Sequence, residues 1–208
     1  MYKISSCLKL LEDREIKRKV IHVASILIPL IFSYISFTNF ILLFLFSYAI
    51  WIFLDFQRRK NRPLQELLER ILGDVFRPGE AKSFSGATHM GLGILITCVF
   101  FEAQTVVMAL TILAICDSVA SIVGERYGAI KVSNKSLEGS AGFFLSGLVI
   151  VCAFVWGLGY KEHFLWENII ALAAATIAEL YSSRLKINDN VLIPVVFAIT
   201  VALLESVV

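Results

Sequence analysis

Seven stretches of this chain are apolar over roughly the length of a membrane helix, which limits the fold to a helical bundle in a bilayer. They lie near residues 21–37, 40–55, 86–101, 104–124, 139–158, 165–182 and 190–207. A hydrocarbon core about 30 Å thick is crossed by ~17–25 helical residues. Backbone N–H and C=O groups find no water there, so each crossing segment must satisfy its hydrogen bonds internally, as a helix. The second and third stretches run slightly short, and Glu179 sits near the end of the sixth. The expected fold is all-α: a polytopic bundle of about seven transmembrane helices in a single domain over residues 1–208.

Composition agrees. Apolar residues make up 58% and charged residues 17%, against about 45–50% apolar in ordinary soluble domains. A net charge of +2 is too small for a nucleic-acid partner. The position of the charges says more than their sum. Of the 19 Lys and Arg residues, all but Lys161 fall in four segments: the N-terminal segment 1–20, the loop 56–85, the loop after the fourth stretch and the loop after the sixth. With seven crossings these four share one side, which the positive-inside rule assigns to the cytoplasm. The first nineteen residues are polar and charged, without a signal-peptide pattern. A compact chain of this kind points to a prokaryotic cell membrane. Cys7, Cys98, Cys116 and Cys152 form no metal-ligand or CxxC spacing, so free thiols are expected.

The loop 56–85 carries a different signal. Leu64, Leu67, Leu68, Ile71 and Leu72 recur at helical spacing on one face. Asn61 suits the start and Gly73 the end, and Glu66 and Arg70 make a favourable i, i+4 pair. The expected element is an amphipathic helix lying on the inner membrane surface, or else packed on the bundle.

Ionisable groups within membrane segments are costly and usually face a cavity or a partner. Four clusters stand out, all on the basic side. Asp117 lies about two turns inside the fourth stretch and calls for a cation, either a metal or a basic side chain. Downstream, Gly124 and Gly128 form GxxxG, which suits close helix packing and would also let phosphate approach the backbone. Lys135, Ser136, Glu138, Gly139 and Ser140 precede the fifth stretch, where a helix N-terminus favours anions. They read either as a phosphate cradle or as an ordinary cap. Glu179, Asp189 and Asn190 border the last loop; such oxygen donors suit Mg²⁺, which takes one or two carboxylates plus phosphate oxygens. The fourth cluster runs from Glu80 to His89, and Arg18, Lys19 and His22 add to it. Acidic groups, a lysine and glycine-serine turns on one face are the parts phosphoryl transfer needs, with the attacking hydroxyl supplied from the bilayer.

At these residues the chain resembles the dolichol kinase, phytol kinase and CTP-dependent diacylglycerol kinase group, itself similar to the phosphatidate cytidylyltransferases. The matching stretches are RKVIH at 18–22, FSGATH at 84–89, DSVASIVGERYG at 117–128, KSLEGSAGFF at 135–144 and NDNVLIP at 188–194. The resemblance implies transfer of the γ-phosphate of CTP to a lipid hydroxyl with a divalent metal. It places Lys135, Ser136, Glu138, Gly139 and Ser140 in the nucleotide site, lined by Asp117, Gly124 and Gly128 and completed by Glu179, Asp189 and Asn190. In the resulting expectation Lys135 contacts phosphate, Asp117 and Asp189 hold Mg²⁺, and Glu138 or Glu179 is the general base. A phytol-like prenol, a polyprenol and diacylglycerol all stay open as acceptors. A cytidylyltransferase that releases pyrophosphate from CTP and phosphatidate is the nearest alternative. A small transporter is the distant one, since transporters place polar groups near the midplane.

Overall fold

The computed structural model describes residues 22–72, 76, 83–157 and 163–206. Among the described residues the elements, helices and a small hairpin, run in order α1 Leu27–Tyr34, α2 Phe37–Arg58, α3 Arg62–Leu72, α4 Gly86–Phe100, α5 Ala103–Tyr127, β1 Lys131–Val132, β2 Lys135–Ser136, α6 Leu137–Cys152, α7 His163–Leu185 and α8 Asp189–Glu205. A π-helical segment, Ala153–Gly157, extends α6. The fold is all-α apart from the hairpin, and each predicted apolar stretch falls on a helix. Among the described residues, four helices are long and apolar enough to cross a membrane: Phe37–Arg58, Ala103–Tyr127, Leu137–Gly157 and Phe164–Leu185. The first and third stretches form shorter apolar helices, His22–Tyr34 and Gly86–Phe100. The first is broken near Ser25, whose hydroxyl donates to the His22 carbonyl at 2.6 Å. Such back-bonding competes with the regular ladder. The last stretch forms a helix of 17 residues with Pro194 inside it.

α5 is the central helix. Val106, Met108, Ala109, Ile112, Leu113 and Cys116 along it are fully buried, beneath α1, α4, α6 and α8. α2 is peripheral and packs on α4 and α3. Its outward face exposes Leu42, Leu43, Phe46 and Phe53, a contiguous apolar surface that water would penalise and that lipid solvates. α3 has the amphipathic form expected. Asn61 accepts from the Leu64 N–H at 3.4 Å, and Leu68 is buried while Leu67 and Ile71 stay exposed. The ion pair on its surface is Arg62 with Glu66 at 3.7 Å. Gly73 and the N-terminal segment 1–20, with Arg18 and Lys19, lie outside the described residues, as does Cys7; the other three cysteines are free.

The helix ends that matter for the site are set by side-chain caps. Ser85 accepts from Thr88 N–H at 3.3 Å, Ser136 from Gly139 N–H at 3.1 Å and Asn188 from Asn190 N–H at 3.0 Å. These start α4, α6 and α8 respectively by satisfying N–H groups that have no partner within the helix. Asn190 ties two of these ends together, its side-chain amide donating to the Gly86 carbonyl at 3.1 Å. Pro194 has no N–H for the Asn190 carbonyl one turn back. That carbonyl instead abuts Gly93 of α4, where a Cβ would collide with it. Glycine there lets α8 approach closely enough to present Asp189.

Candidate active site

The hairpin between α5 and α6 is the device that aims the site. Lys131 pairs with Ser136 and Val132 with Lys135, leaving Ser133 and Asn134 as a tight turn in which Ser133 takes φ 61°. Such a left-handed residue matches the twist of a two-residue hairpin loop. Glu138 fastens the hairpin to α6: its carboxylate accepts from the Ile130 N–H at 3.1 Å. The hairpin then turns Lys135 inward, against α5, α7 and α8.

Three carboxylates from three helices meet the Lys135 ammonium. Its Nζ lies 2.8 Å from Glu179 Oε1 on α7, 2.8 Å from Asp189 Oδ2 on α8 and 3.6 Å from Asp117 Oδ1 on α5. Burial alone would lower the affinity of Lys135 for its proton. The charges of Asp117, Asp189 and Glu179, with the hydrogen bond to Asp189, outweigh that and hold it well above the usual lysine range. The carboxylates have further partners. Ser140 donates to Glu179 Oε2 at 2.7 Å. His22 Nε2 lies 3.2 Å from the Leu113 carbonyl and 3.5 Å from Asp117 Oδ2. A carbonyl only accepts, so Nε2 carries the hydrogen and faces Asp117 as a donor.

Beside this cluster opens a cavity of about 310 Å³, lined by Ala120, Ser121, Gly124, Glu125, Lys131, Asn134, Lys135, Ser136, Gly139, Glu179, Ser183 and Asp189. That is the lower end of the size range for small-molecule sites. The N-termini of α6 and α8 end at it, and the positive ends of their dipoles favour anions.

Comparison with known proteins bears on this arrangement. The chain is 32% identical over 191 residues to an uncharacterised protein of Rickettsia prowazekii, covering 90% of this chain and 93% of that one. It is 31% identical over 154 residues to CTP-dependent diacylglycerol kinase 1 of Schizosaccharomyces pombe, covering 67% of this chain and 70% of the relative. The chain belongs to the CTP-dependent lipid kinase family. Similarity extends to phytol kinase 1 of Arabidopsis thaliana, 28% identical over 138 residues, which are 60% of this chain and 46% of that protein. No family model matches, and no solved structure matches.

Within this family member, the residues singled out from sequence separate into those that face the cavity and those that build its walls. Lys135, Glu179, Asp189 and Asp117 form the charged centre, with Ser140 attached through Glu179. Gly124, Gly128 and Gly139 form a packing seam between α5 and α6. A Cβ on Gly139 would lie 2.8 Å from the Ala120 carbonyl oxygen, and one on Gly124 would lie 3.0 Å from Ser136 Oγ. Ser136 is buried as the cap of α6. Asn190 is buried and occupied with the α4–α8 contact. Glu138 is half-buried and bonded to the hairpin, which leaves Glu179 as the glutamate of the charged cluster. His89 donates from Nδ1 back to the Ser85 carbonyl at 2.9 Å. Glu80 and Lys82 lie outside the described residues.

For a divalent ion the donors are oxygen atoms, as Mg²⁺ prefers. Among the described residues, no group of three or more His, Cys, Asp or Glu side chains could hold one. Asp117 and Asp189, both beside Lys135 Nζ, supply two oxygen donors of the kind such an ion takes.

One feature escaped the sequence reading. Asp55 and Arg58 on α2 are buried and joined at 2.6 Å. Asp55 Oδ2 accepts from the Ser85 N–H at 2.9 Å and hydroxyl at 3.0 Å, and from the Thr88 hydroxyl. Arg58 also donates to the Ser83 carbonyl at 3.1 Å. Trp51 and Tyr48 add bonds to Thr88. The stretch FSGATH therefore staples α4 to α2. Asp55 lies inside an apolar run three residues before Arg58, a spacing that on a helix brings the two together; that was the available signal.

Proposed function

We propose that this protein transfers the γ-phosphate of CTP to the hydroxyl of a lipid alcohol, a phytol-like prenol, a polyprenol or diacylglycerol, at the cytoplasmic face of the membrane. The observation that carries the reading is the convergence of Asp117, Glu179 and Asp189 on Lys135 beside the cavity, in a member of a lipid kinase family. CTP as donor is supported by the relatives named CTP-dependent diacylglycerol kinase. A site at one end of an apolar bundle suits reactants of which one is dissolved in water and the other in lipid. Exposed Trp156 and Trp166, remote in sequence from the site motifs, suit the opposite interface, where aromatic rings gather. Together with the basic loops they support seven crossings of a single membrane domain with the site on the cytoplasmic side. The three shorter helices cross where the bilayer thins locally around them.

In this mechanism Lys135 binds the transferring phosphate, and the positive dipole ends of α6 and α8 favour its neighbours. Asp117 and Asp189 would hold Mg²⁺, which supplies charge neutralisation on the phosphates when bound. Glu179, held by Ser140, takes the proton from the lipid hydroxyl as its oxygen attacks the γ-phosphorus. The bond to the β-phosphate oxygen breaks and CDP leaves. The test is turnover of γ-labelled CTP by purified protein with phytol, geranylgeraniol, a long polyprenol, diacylglycerol or phosphatidate. Label on one alcohol with CDP released is the expected result. Pyrophosphate released with phosphatidate would assign a cytidylyltransferase instead.

A further inference from the structure

We propose that Lys135 is the resident cation of the carboxylate cluster, and that a divalent ion joins the site only together with the nucleotide. This deepens the kinase reading and rests on it for the identity of the nucleotide. Three carboxylates stand around one ammonium, at 2.8, 2.8 and 3.6 Å. A Mg²⁺ ion draws its ligand oxygens to about 2.0–2.1 Å. An ion on Asp117 and Asp189 would therefore occupy space that Lys135 Nζ already fills, and two cations at such separation repel strongly. The ion must wait until the ammonium leaves.

Among the described residues, the ion-pair partners of Lys135 are the carboxylates of α5, α7 and α8. A triphosphate changes the balance in two ways. Its oxygens offer Lys135 a second anionic partner within the same cavity, which Lys135 already lines. Its own charge then needs a cation where the lysine stood, between the phosphates and the carboxylates. The lysine stem is four carbons long and flexible, which permits the swing that a rigid guanidinium fork would not. Lys135 thus offsets part of the carboxylates' charge in the nucleotide-free protein and holds the cluster together without metal. It hands those carboxylates over only when a phosphate has arrived.

The test uses Mn²⁺ in place of Mg²⁺, with bound and free ion separated by electron paramagnetic resonance, on the full chain in detergent. Wild type is expected to bind no Mn²⁺ tightly alone, and one ion per chain once a non-hydrolysable CTP analogue is added. Lys135→Met is expected to bind Mn²⁺ without nucleotide at least about tenfold more tightly than wild type, because removing one like charge about 4 Å away is worth more than that even at a surface-like dielectric. Tight Mn²⁺ binding by nucleotide-free wild type would overturn the proposal, as would a folded Lys135→Met variant that binds no better. If that variant does not fold, the wild-type titration decides alone. Failure of the CTP analogue to recruit an ion would count against the nucleotide assignment. The comparison without nucleotide would still judge the lysine.

Discussion

Replacing Asp55 by Ala removes the acceptor at the centre of the α2–α4 staple and leaves Arg58 buried without its carboxylate. Asp55 accepts five hydrogen bonds, two from Arg58, two from Ser85 and one from Thr88. Both members of the ion pair have side chains with 0% exposure, so solvent does not replace what is lost. Breaking a buried pair from one side costs about 3–5 kcal/mol, because the remaining charge stays in a poor dielectric. For a chain of this size about 2–4 °C of melting temperature accompanies each kcal/mol, so the expected drop is roughly 6–20 °C in detergent. The double variant Asp55→Ala, Arg58→Met removes both charges and replaces the guanidinium stem with an apolar one. It should recover most of the loss, since apolar replacement of a whole buried pair is often neutral. The staple touches neither Lys135 nor its carboxylates, so the KM for nucleotide should hold at temperatures where the variants are folded. Differential scanning of the three proteins measures this. An Asp55→Ala protein that melts with wild type, or a double variant no better than the single, would refute the argument that Arg58 depends on Asp55.

Three further outcomes are expected. Asp117→Asn should abolish turnover in a protein that stays folded and inserted; near-normal activity would make Asp117 structural. Glu179→Gln should lose most of kcat while Glu138→Gln keeps it, because only Glu179 faces Lys135; equal losses in paired kinetic assays would contradict that division. Gly139→Val should destabilise by about 1–3 kcal/mol through overpacking against the Ala120 carbonyl, read as a lowered melting temperature, and an unchanged value would show that the α5–α6 seam has room to relax.

Apolar run length and loop charge were enough to read the helices, because both record the bilayer as solvent and need no knowledge of partners. The third stretch, read as 86–101, forms α4 over Gly86–Phe100. Hydropathy does not register that the first helix is broken near Ser25. The motif residues were legible as a group but not as parts. Gly124, Gly128 and Gly139 carry the same pattern whether a backbone approaches a phosphate or another helix. Only the position of α6 decides between these, and it places the Ala120 carbonyl and Ser136 against them. Glu138 and Glu179 were equivalent on paper. The hairpin separates them, and two-residue strands around a Ser-Asn turn leave no periodicity to detect.

The charged centre shows how far such a reading reaches. An acidic residue two turns inside a membrane helix requires a cation, and sequence offered a metal or a basic side chain without choosing. Geometry supplies the lysine: Lys135 is brought to Asp117 by a hairpin and to Glu179 and Asp189 by two other helices. Each carboxylate would be costly alone in this setting, and the ammonium among them offsets their mutual repulsion. A single ammonium therefore makes the apolar end of the bundle tolerant of three acids. It makes the folded site dependent on that one side chain until substrate brings another positive charge. A protein built this way assembles its carboxylates before any ligand arrives and keeps them paired with Lys135.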